Sequence, residues 1–314
     1  MSGVGATGRA GHTAAVFIGV DVGGTKVAAG VVDPSGVVVW REQRPTPRST
    51  SAEEVFAPVA ELVRAALAAH PGAEAVGIGS AGPMNTPAGT VSPLNIHAWR
   101  GFPLRDRVAE VARLPARLAN DGTCMALGEQ WVGAGRGSSA LLGMVVSTGV
   151  GGGLVLDGAP FAGRTGNAGH VGHLVVDPDG DPCPCGGRGC VEAVASGPSL
   201  VRWARTQGWQ APEHADAAHL AAAAHHGDPL ARAAFTRAGR AVGLAVVAAA
   251  ALCDLTLAVI GGGVAKTGDL LLGPARATVA THATMDFIRD IAIVPATLGQ
   301  DAGIVGAAGL VVPR

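Results

Sequence analysis

The sequence predicts an α/β protein built from two related lobes with a cleft between them. Two observations lead there: apolar strands alternate with helical patterns along the 314 residues, and one strand–glycine turn–strand unit occurs twice. The first copy spans residues 16–32 around the turn Asp21-Val-Gly-Gly-Thr25, and the second spans residues 141–156 around the glycines of residues 147–153. Two copies facing each other would place one glycine turn on each wall of the cleft.

The remaining elements follow from local patterns. A helix over residues 51–69 is predicted to begin with the Ser51-x-x-Glu54 capping pattern, although Pro58 leaves undecided the residue at which the helix starts. Hydrophobic periodicity predicts strands over residues 75–78, 116–119 and 255–260, and helices over residues 198–206, 217–226 and 229–252. We expect a flexible leader over residues 1–14, a small lobe over residues 15–119, and a large lobe over residues 120–299. A final helix, about residues 300–314, is expected to pack back on the small lobe.

Composition and charge exclude several classes of function. The net charge of −1, from 23 basic and 24 acidic residues, offers no basic field for a nucleic acid. The most apolar run, residues 241–253, is shorter than the ~18 residues of a membrane span, so it predicts a buried helix and no membrane partner. No signal-peptide pattern opens the chain. Three of the five cysteines crowd into residues 183–190, which suits metal thiolates in a reducing cytoplasm.

The glycine turns predict a polyphosphate site. Glycines let a backbone approach phosphates closely, while N–H groups and a nearby hydroxyl or lysine bind them. A third glycine turn directly follows the strand ending at Ile260, where an adenine ring could lie against backbone. The alternative is that these are ordinary turns, because 48 of the 314 residues are glycine. The candidate nucleotide-binding residues are Gly23, Gly24, Thr25, Lys26, Ser147, Thr148, Gly149, Gly151, Gly261, Gly262 and Gly263.

Asp21 ends a hydrophobic strand, where a carboxylate is costly to bury unless it faces a cleft or a partner. We expect it to orient Mg²⁺ through water beside the transferring phosphate. The chain contains neither a P-loop nor a dinucleotide-binding fingerprint at its first turn.

A cysteine–histidine motif predicts a structural metal site. His173, Cys183, Cys185 and Cys190 lie within eighteen residues and can complete a tetrahedral Cys3His zinc shell. Such a shell leaves no open coordination position, so the zinc would shape the protein and not react. The alternative is three unligated cysteines in a glycine-rich loop. Cys124 and Cys253 lie in apolar helical contexts and are expected to be small core residues.

Taken together, these residues resemble the ROK family of bacterial sugar kinases and repressors, a branch of the actin-like ATPases that includes glucokinases. The resemblance spans residues 16 to about 309. It implies two actin-like, ribonuclease H-like lobes and ATP as the phosphate donor. The matching motifs are Asp21-Val-Gly-Gly-Thr-Lys26, Asn120-Asp121, the glycine run of residues 147–153, Gly172-His173, the C-x-C-G-x-x-G-C-x-E run from Cys183 to Glu192, and Gly261-Gly-Gly263.

The resemblance also implies a hexose site. Asp121 would be the general base facing the C6 hydroxyl of the sugar. The other implied sugar-binding residues are Gly82, Asn120, His170, His173 and Glu192. From the residues alone, Asn120-Asp121 joins a strand to a helix, where a carboxylate commonly serves as an N-cap, so capping is the alternative role. Zinc ordering the loop would fix Glu192 at the pocket.

His170 departs from the family pattern, which usually reads Glu-x-Gly-His where this chain reads His170-Val-Gly-His173. An imidazole presents different hydrogen-bonding groups from a carboxylate, so the preferred sugar need not be glucose. An amino sugar such as kanosamine is one candidate, although an ammonium group would ordinarily favour a carboxylate. The alternative is that His170 packs against the zinc loop. The segment around Asn95 also departs, which leaves Asn95 a doubtful sugar contact.

Two other functions compete with a kinase. The same family contains sugar-responsive repressors, but the first glycine turn begins at Asp21, so we expect no helix-turn-helix domain ahead of it. A sugar-sensing protein without catalysis is the other rival, against which Asp21, Asp121 and both glycine turns argue. The resemblance further implies a homodimer or a larger homo-oligomer.

Overall fold

The computed structural model of the chain describes residues 15–313. The predicted leader, residues 1–14, lies outside them. Two five-stranded sheets and nine α-helices form the described part. The small-lobe elements are β1 (Val16–Val22), β2 (Lys26–Val32), β3 (Val38–Pro45), α1 (Ala52–Ala69), β4 (Ala73–Ser80), the ribbon β5 (Met84–Asn85) with β6 (Thr90–Val91), α2 (Leu104–Ala112) and β7 (Ala116–Asn120).

The second half of the chain builds the other sheet. Its elements are α3 (Asp121–Val132), β8 (Leu141–Val146), β9 (Val150–Leu156), β10 (Ala159–Phe161), α4 (Val191–Ala195), α5 (Gly197–Thr206), α6 (Ala217–His225), α7 (Pro229–Cys253), β11 (Leu257–Gly261), α8 (Asp269–His282), β12 (Ala292–Pro295) and α9 (Ala302–Gly309).

The two sheets share one topology. Their strand orders are β3-β2-β1-β4-β7 and β10-β9-β8-β11-β12. In each sheet the first three strands in sequence are antiparallel neighbours, and the last two run parallel to the first. The predicted duplication and the α/β class of two related lobes are therefore confirmed.

Helices α3 and α9 are exchanged between the lobes. Helix α3 follows the last strand of the first sheet but packs on β8 and β9, where a Cβ on Gly153 would collide with Thr123. Helix α9 follows the last strand of the second sheet but packs on β1 and β4, where a Cβ on Gly77 would collide with the Ala307 carbonyl. The two helices also touch each other, because a Cβ on Gly306 would collide with the Cys124 backbone. Only glycine allows such close backbone approach.

Most predicted element bounds agree with the structure to within two residues. Ser51 is the N-cap of α1, and its side chain accepts from the Glu54 N–H at 3.4 Å. The reciprocal half of the capping box is absent here, because the Glu54 carboxylate accepts instead from the Ser49 hydroxyl at 2.6 Å. Pro58 lies inside the helix. The predicted division of the chain at residue 119 coincides with the end of β7 and stays a prediction.

Each lobe has its own core. The small-lobe core includes the fully buried Trp99, which stacks on Phe102 with ring centroids 4.5 Å apart. In the large lobe, α7 is long and apolar enough to cross a membrane by composition, but 56% of its most apolar window is buried. It packs against α8 and α4 in the large-lobe core. The apolar run at residues 241–253 is therefore a core helix, as the sequence predicts.

Candidate active site

The first glycine turn connects β1 to β2 at one edge of the small-lobe sheet. The Gly23 N–H donates to the Lys26 carbonyl at 3.0 Å and closes the turn. Thr46, directly after β3, supports it, since its hydroxyl donates to the Gly23 carbonyl at 2.7 Å and its N–H to the Thr25 carbonyl at 3.0 Å. The candidate nucleotide-binding residues from Gly23 to Lys26 thus form one ordered hairpin turn.

The second and third glycine turns adjoin each other in the large lobe. In the second turn, the Ser147 N–H donates to the Gly149 carbonyl at 2.8 Å. Gly262, with φ of 100°, packs against the backbone of Val146 in the third turn, after β11. A Cβ on Gly263 would lie 3.4 Å from the Ser147 hydroxyl. Two turns 114 residues apart in sequence, from 147 to 261, therefore meet at one place.

A cavity of about 1150 Å³ opens beside these two turns. Helices α5 and α6 supply most of its wall, and its size suits a nucleoside. Of the candidate nucleotide-binding residues, Ser147, Thr148 and Gly263 line this cavity, whereas Gly149, Gly151, Gly261 and Gly262 do not.

Asn120 and Asp121 lie where β7 ends and α3 begins. Asn120 is the N-cap: its side-chain oxygen accepts from the Gly122 N–H at 3.0 Å. Asp121 is the first helical residue, and one of its oxygens also contacts that N–H, at 2.8 Å. The capping role therefore belongs to Asn120, which leaves the second carboxylate oxygen of Asp121 for other partners.

Two buried polar atoms without partners converge beside Gly82. They are the amide nitrogen of Asn120 and Nδ1 of His170, neither of which has a hydrogen-bond partner among residues 15–313. A Cβ on Gly82 would lie 3.0 Å from the Asn120 nitrogen and 3.5 Å from the His170 ring. Buried polar atoms are normally satisfied, so this space favours a polar ligand.

Glu192 connects the cysteine-rich loop to the second glycine turn. It lies in the first turn of α4, two residues after Cys190, and its carboxylate accepts from the Val150 N–H at 2.9 Å. A Cβ on Gly149 would lie 2.8 Å from the same carboxylate oxygen. The loop therefore reaches the wall of the cleft through Glu192.

Electrostatic interactions link the candidate residues of the cleft. Desolvation raises the pKa of Asp121, while the Gly122 N–H and His170 oppose that rise. Desolvation, and then repulsion by Asp121, raise the pKa of Asp21 to about 6, against the attraction of Lys26. Desolvation and His173 lower the pKa of His170, against Asp121 and Glu192. The candidate acids and imidazoles share one poorly hydrated region.

The four predicted metal ligands lie together. Their ligand atoms are all within 4.8 Å of one another. Nδ1 of His173 is 3.7 Å from the Cys183 sulfur, and the sulfurs of Cys185 and Cys190 are also 3.7 Å apart. The edge of a tetrahedron around zinc with thiolate bonds is about 3.8 Å. Three thiols and an imidazole at this spacing fit a closed tetrahedral site.

Several residues of the site carry no sequence signal. Asn167 bonds both backbone groups of Met84, at 2.8 and 3.0 Å, and so holds the segment after Gly82. Asn95 lies against the first glycine turn, since a Cβ on Gly24 would be 2.5 Å from its amide nitrogen. The contacts that place these amides are long-range, and no local pattern indicates them. Glu129 differs from these amides, because a charged residue within the apolar stretch of α3 is a signal that the sequence itself carries.

Comparison with known proteins defines the class. A model of the ROK family matches residues 17–313, so the chain belongs to the ROK family and the resemblance is confirmed. Within this family, the full-length match to glucokinases and the fold identify the chain as a sugar kinase.

The individual relatives cover nearly the whole chain. A glucokinase of Thermotoga maritima is 37% identical over 314 residues, covering 95% of this chain and 98% of that protein. An N-acetylmannosamine kinase of Yersinia pseudotuberculosis is 34% identical, covering 93% of this chain and 96% of that protein. The crystal structure of a ROK family glucokinase from Streptomyces griseus, in complex with glucose and AMPPNP, matches with a TM-score of 0.80 at 37% identity, covering 94% of this chain and 98% of that one.

The raised pKa of Asp21 predicts a pH-dependent stability difference. The folded pKa of about 6 lies above the ordinary aspartate value of 3.8, so ionising Asp21 disfavours folding once the pH exceeds about 4, and this cost levels off above pH 6. Asp21→Asn should therefore stabilise the ligand-free protein at pH 8 by up to about 3 kcal/mol, and by little at pH 4. Thermal unfolding of both proteins from pH 4 to 8 measures the difference.

Asp290→Asn is the matched control, because Asp290 is an exposed carboxylate far along the chain in the 283–291 loop. It should leave the pH profile as in the wild type. A constant difference between the Asp21→Asn protein and the wild type at all pH values would contradict the assignment.

Proposed function

We propose that this chain transfers the γ-phosphoryl group of ATP to the C6 hydroxyl of glucose or a glucose-like hexose. The observation that carries the proposal is the placement of Asp21, at the end of β1, and Asp121, directly after β7, at the same end of three parallel strands. It puts a candidate base and a candidate metal-orienting acid on one cleft whose walls carry glycine turns. The glucose and nucleotide analogue in the related Streptomyces griseus structure support the choice of substrates.

In the proposed reaction, Asp121 accepts the proton of the C6 hydroxyl while the oxygen of that hydroxyl attacks the γ-phosphorus. The new oxygen–phosphorus bond forms as the bond to the β-phosphate oxygen breaks, and ADP leaves. A carboxylate whose pKa is raised by desolvation is a better proton acceptor near neutral pH. Most of the acceleration would come from alignment, because the transition state is loose.

The nucleotide would occupy the cavity beside the second and third glycine turns. The turn residues Gly23 to Lys26 and Ser147 to Gly151 would bind phosphates through N–H groups, hydroxyls and the lysine, and Gly261 to Gly263 would lie under the base. The carboxylate of Asp21 accepts no hydrogen bond from residues 15–313, so it fits a role in holding water around Mg²⁺. Bound Mg²⁺ would neutralise charge on the transferring phosphate.

The hexose would lie beside Gly82, where the unpartnered nitrogens of Asn120 and His170 meet. We propose Asn120, His170, His173 and Glu192 as its hydroxyl-binding residues. The identity of the sugar is less narrowly defined, because a glucokinase and an N-acetylmannosamine kinase have nearly the same sequence identity to this chain. The imidazole of His170 makes an amino sugar such as kanosamine a second candidate.

A substrate panel tests the sugar assignment. We expect the wild-type protein to form a C6-phosphorylated product from glucose and ATP. A His170→Glu variant should change the ratios of kcat/KM among the sugars by about tenfold or more, since the donors and acceptors in the pocket change. The sugars to compare are glucose, mannose, glucosamine, N-acetylmannosamine and kanosamine. Coupled ADP release gives kcat/KM for each sugar. An unchanged ranking would remove His170 from substrate selection, and sugar binding without ADP release would leave a sugar sensor.

The base assignment has its own variant. Asp121→Asn should retain sugar binding but lower kcat by about 10²- to 10⁴-fold, because the amide cannot accept the proton. Isothermal titration gives the sugar affinity and steady-state kinetics give kcat. Turnover near the wild-type value would exclude Asp121 as the base.

We propose structural zinc for the Cys3His cluster. Cys190→Ser should lower the zinc content below one ion per chain and decrease Tm, because one of four ligands is lost. Native mass spectrometry counts the metal, and Cys253→Ser outside the cluster is the control. A full zinc complement in Cys190→Ser would contradict this ligand set.

We also propose a cytoplasmic homodimer or larger homo-oligomer. Free thiols at the metal cluster suit a reducing compartment, and the family resemblance favours assembly. Light scattering tests the assembly against the 31.0 kDa mass of one chain, and that mass alone in solution would contradict it.

A further inference from the structure

Glu129 is a fully buried carboxylate in the last turn of α3, eight residues after Asp121. One of its oxygens accepts from the N–H groups of Thr297 and Leu298, at 2.9 and 2.8 Å. The other accepts from the Ala134 N–H at 2.8 Å and from the Thr297 hydroxyl at 3.1 Å. No cation pairs with it among residues 15–313, so these four bonds compensate its desolvation.

These bonds fix the segment that leads into α9. Residues 296–301 connect β12 in the large lobe to α9, which packs on the small-lobe sheet. The second residue of α9, Gly303, lies against Asp21, since a Cβ there would be 2.7 Å from a carboxylate oxygen. The backbone at Thr297 and Leu298 therefore sets where α9 starts, and the start of α9 borders Asp21.

The small lobe holds the same segment by weaker contacts. The Gln300 side-chain oxygen accepts from Lys26 at 3.4 Å and from Arg41 at 3.2 Å. Arg41 also pairs with Asp301 at 3.2 Å, with side chains 33% and 43% exposed. Exposed pairs of this kind contribute little, whereas a buried carboxylate on several N–H donors is held tightly. A movement between the lobes would break the exposed contacts first.

We infer that Glu129 is a positioning residue that anchors the pivot of lobe closure. It clamps α3, which begins at Asp121, to the backbone that starts α9 beside Asp21. Closure then rotates the small lobe about a fixed point and moves Asp21 and Asp121, which lie at the end of its sheet, toward the glycine turns of the large lobe. The inference rests on the proposed phosphoryl transfer, which requires closure over both substrates.

Two variants separate positioning from simple stabilisation. Glu129→Gln keeps an oxygen for Thr297 and Leu298, so its kcat should stay within about threefold of wild type. Glu129→Ala frees the pivot, so kcat per folded molecule should fall by about 10- to 100-fold while KM for glucose changes little, as expected for misaligned reacting groups. Thr278→Val is the control: it removes a buried hydroxyl bond within α8 and should lower Tm without changing kcat.

Hydrogen exchange on the wild-type protein gives a second readout that needs no variant. The amides of Thr297 and Leu298 should stay equally protected without ligands and with glucose plus a non-hydrolysable ATP analogue. Loss of their protection on binding would overturn the inference, and so would wild-type kcat in folded Glu129→Ala. These outcomes differ from failure of the proposed function, in which the wild-type protein itself would not release ADP from ATP and sugar.

Discussion

The backbone contact between α3 and α9 is the constraint on which the rest of the molecule depends. Each helix leaves one lobe and packs on the sheet of the other, so each sheet is partly covered by the opposite half of the chain. Gly306 lies on the Cys124 backbone, and a Cβ on Gly128 would be 2.6 Å from the Ala302 carbonyl. Since this approach tolerates no side chain, the two helices stay in backbone contact, and a movement between the lobes has to keep that contact.

That cleft holds two acids in an environment that disfavours their charge. Asp21 lies at the end of β1 and Asp121 directly after β7, so the small-lobe sheet holds the two acids within electrostatic reach at the place where α3 and α9 begin. Desolvation raises the pKa of both acids, and repulsion by Asp121 raises the pKa of Asp21 further, which costs folding free energy near neutral pH. Acids whose ionisation destabilises the ligand-free protein are typical of catalytic sites, where a bound cation can offset the cost.

The cysteine-rich loop positions side chains at the proposed sugar site. His173 belongs to the metal cluster and stacks on His170, with ring centroids 5.0 Å apart. Glu192, two residues after Cys190, accepts a hydrogen bond from the N–H of Val150 at the start of β9. A metal held by four protein ligands would therefore act at a distance, by fixing the side chains that line the pocket.

Local features of this protein were determined by the sequence itself: strands, glycine turns, the cap at Ser51 and the spacing of the cysteines, since these depend on neighbours within a few residues. The duplicated topology and the metal cluster followed from such patterns. Only the tertiary structure decided how closely the backbones of α3 and α9 approach each other, that Asn120 caps the helix in place of Asp121, and that Glu129 bonds Thr297, 168 residues away. Periodicity reports that a side chain is buried but not what it is buried against, because that partner is set by the packing of the whole chain.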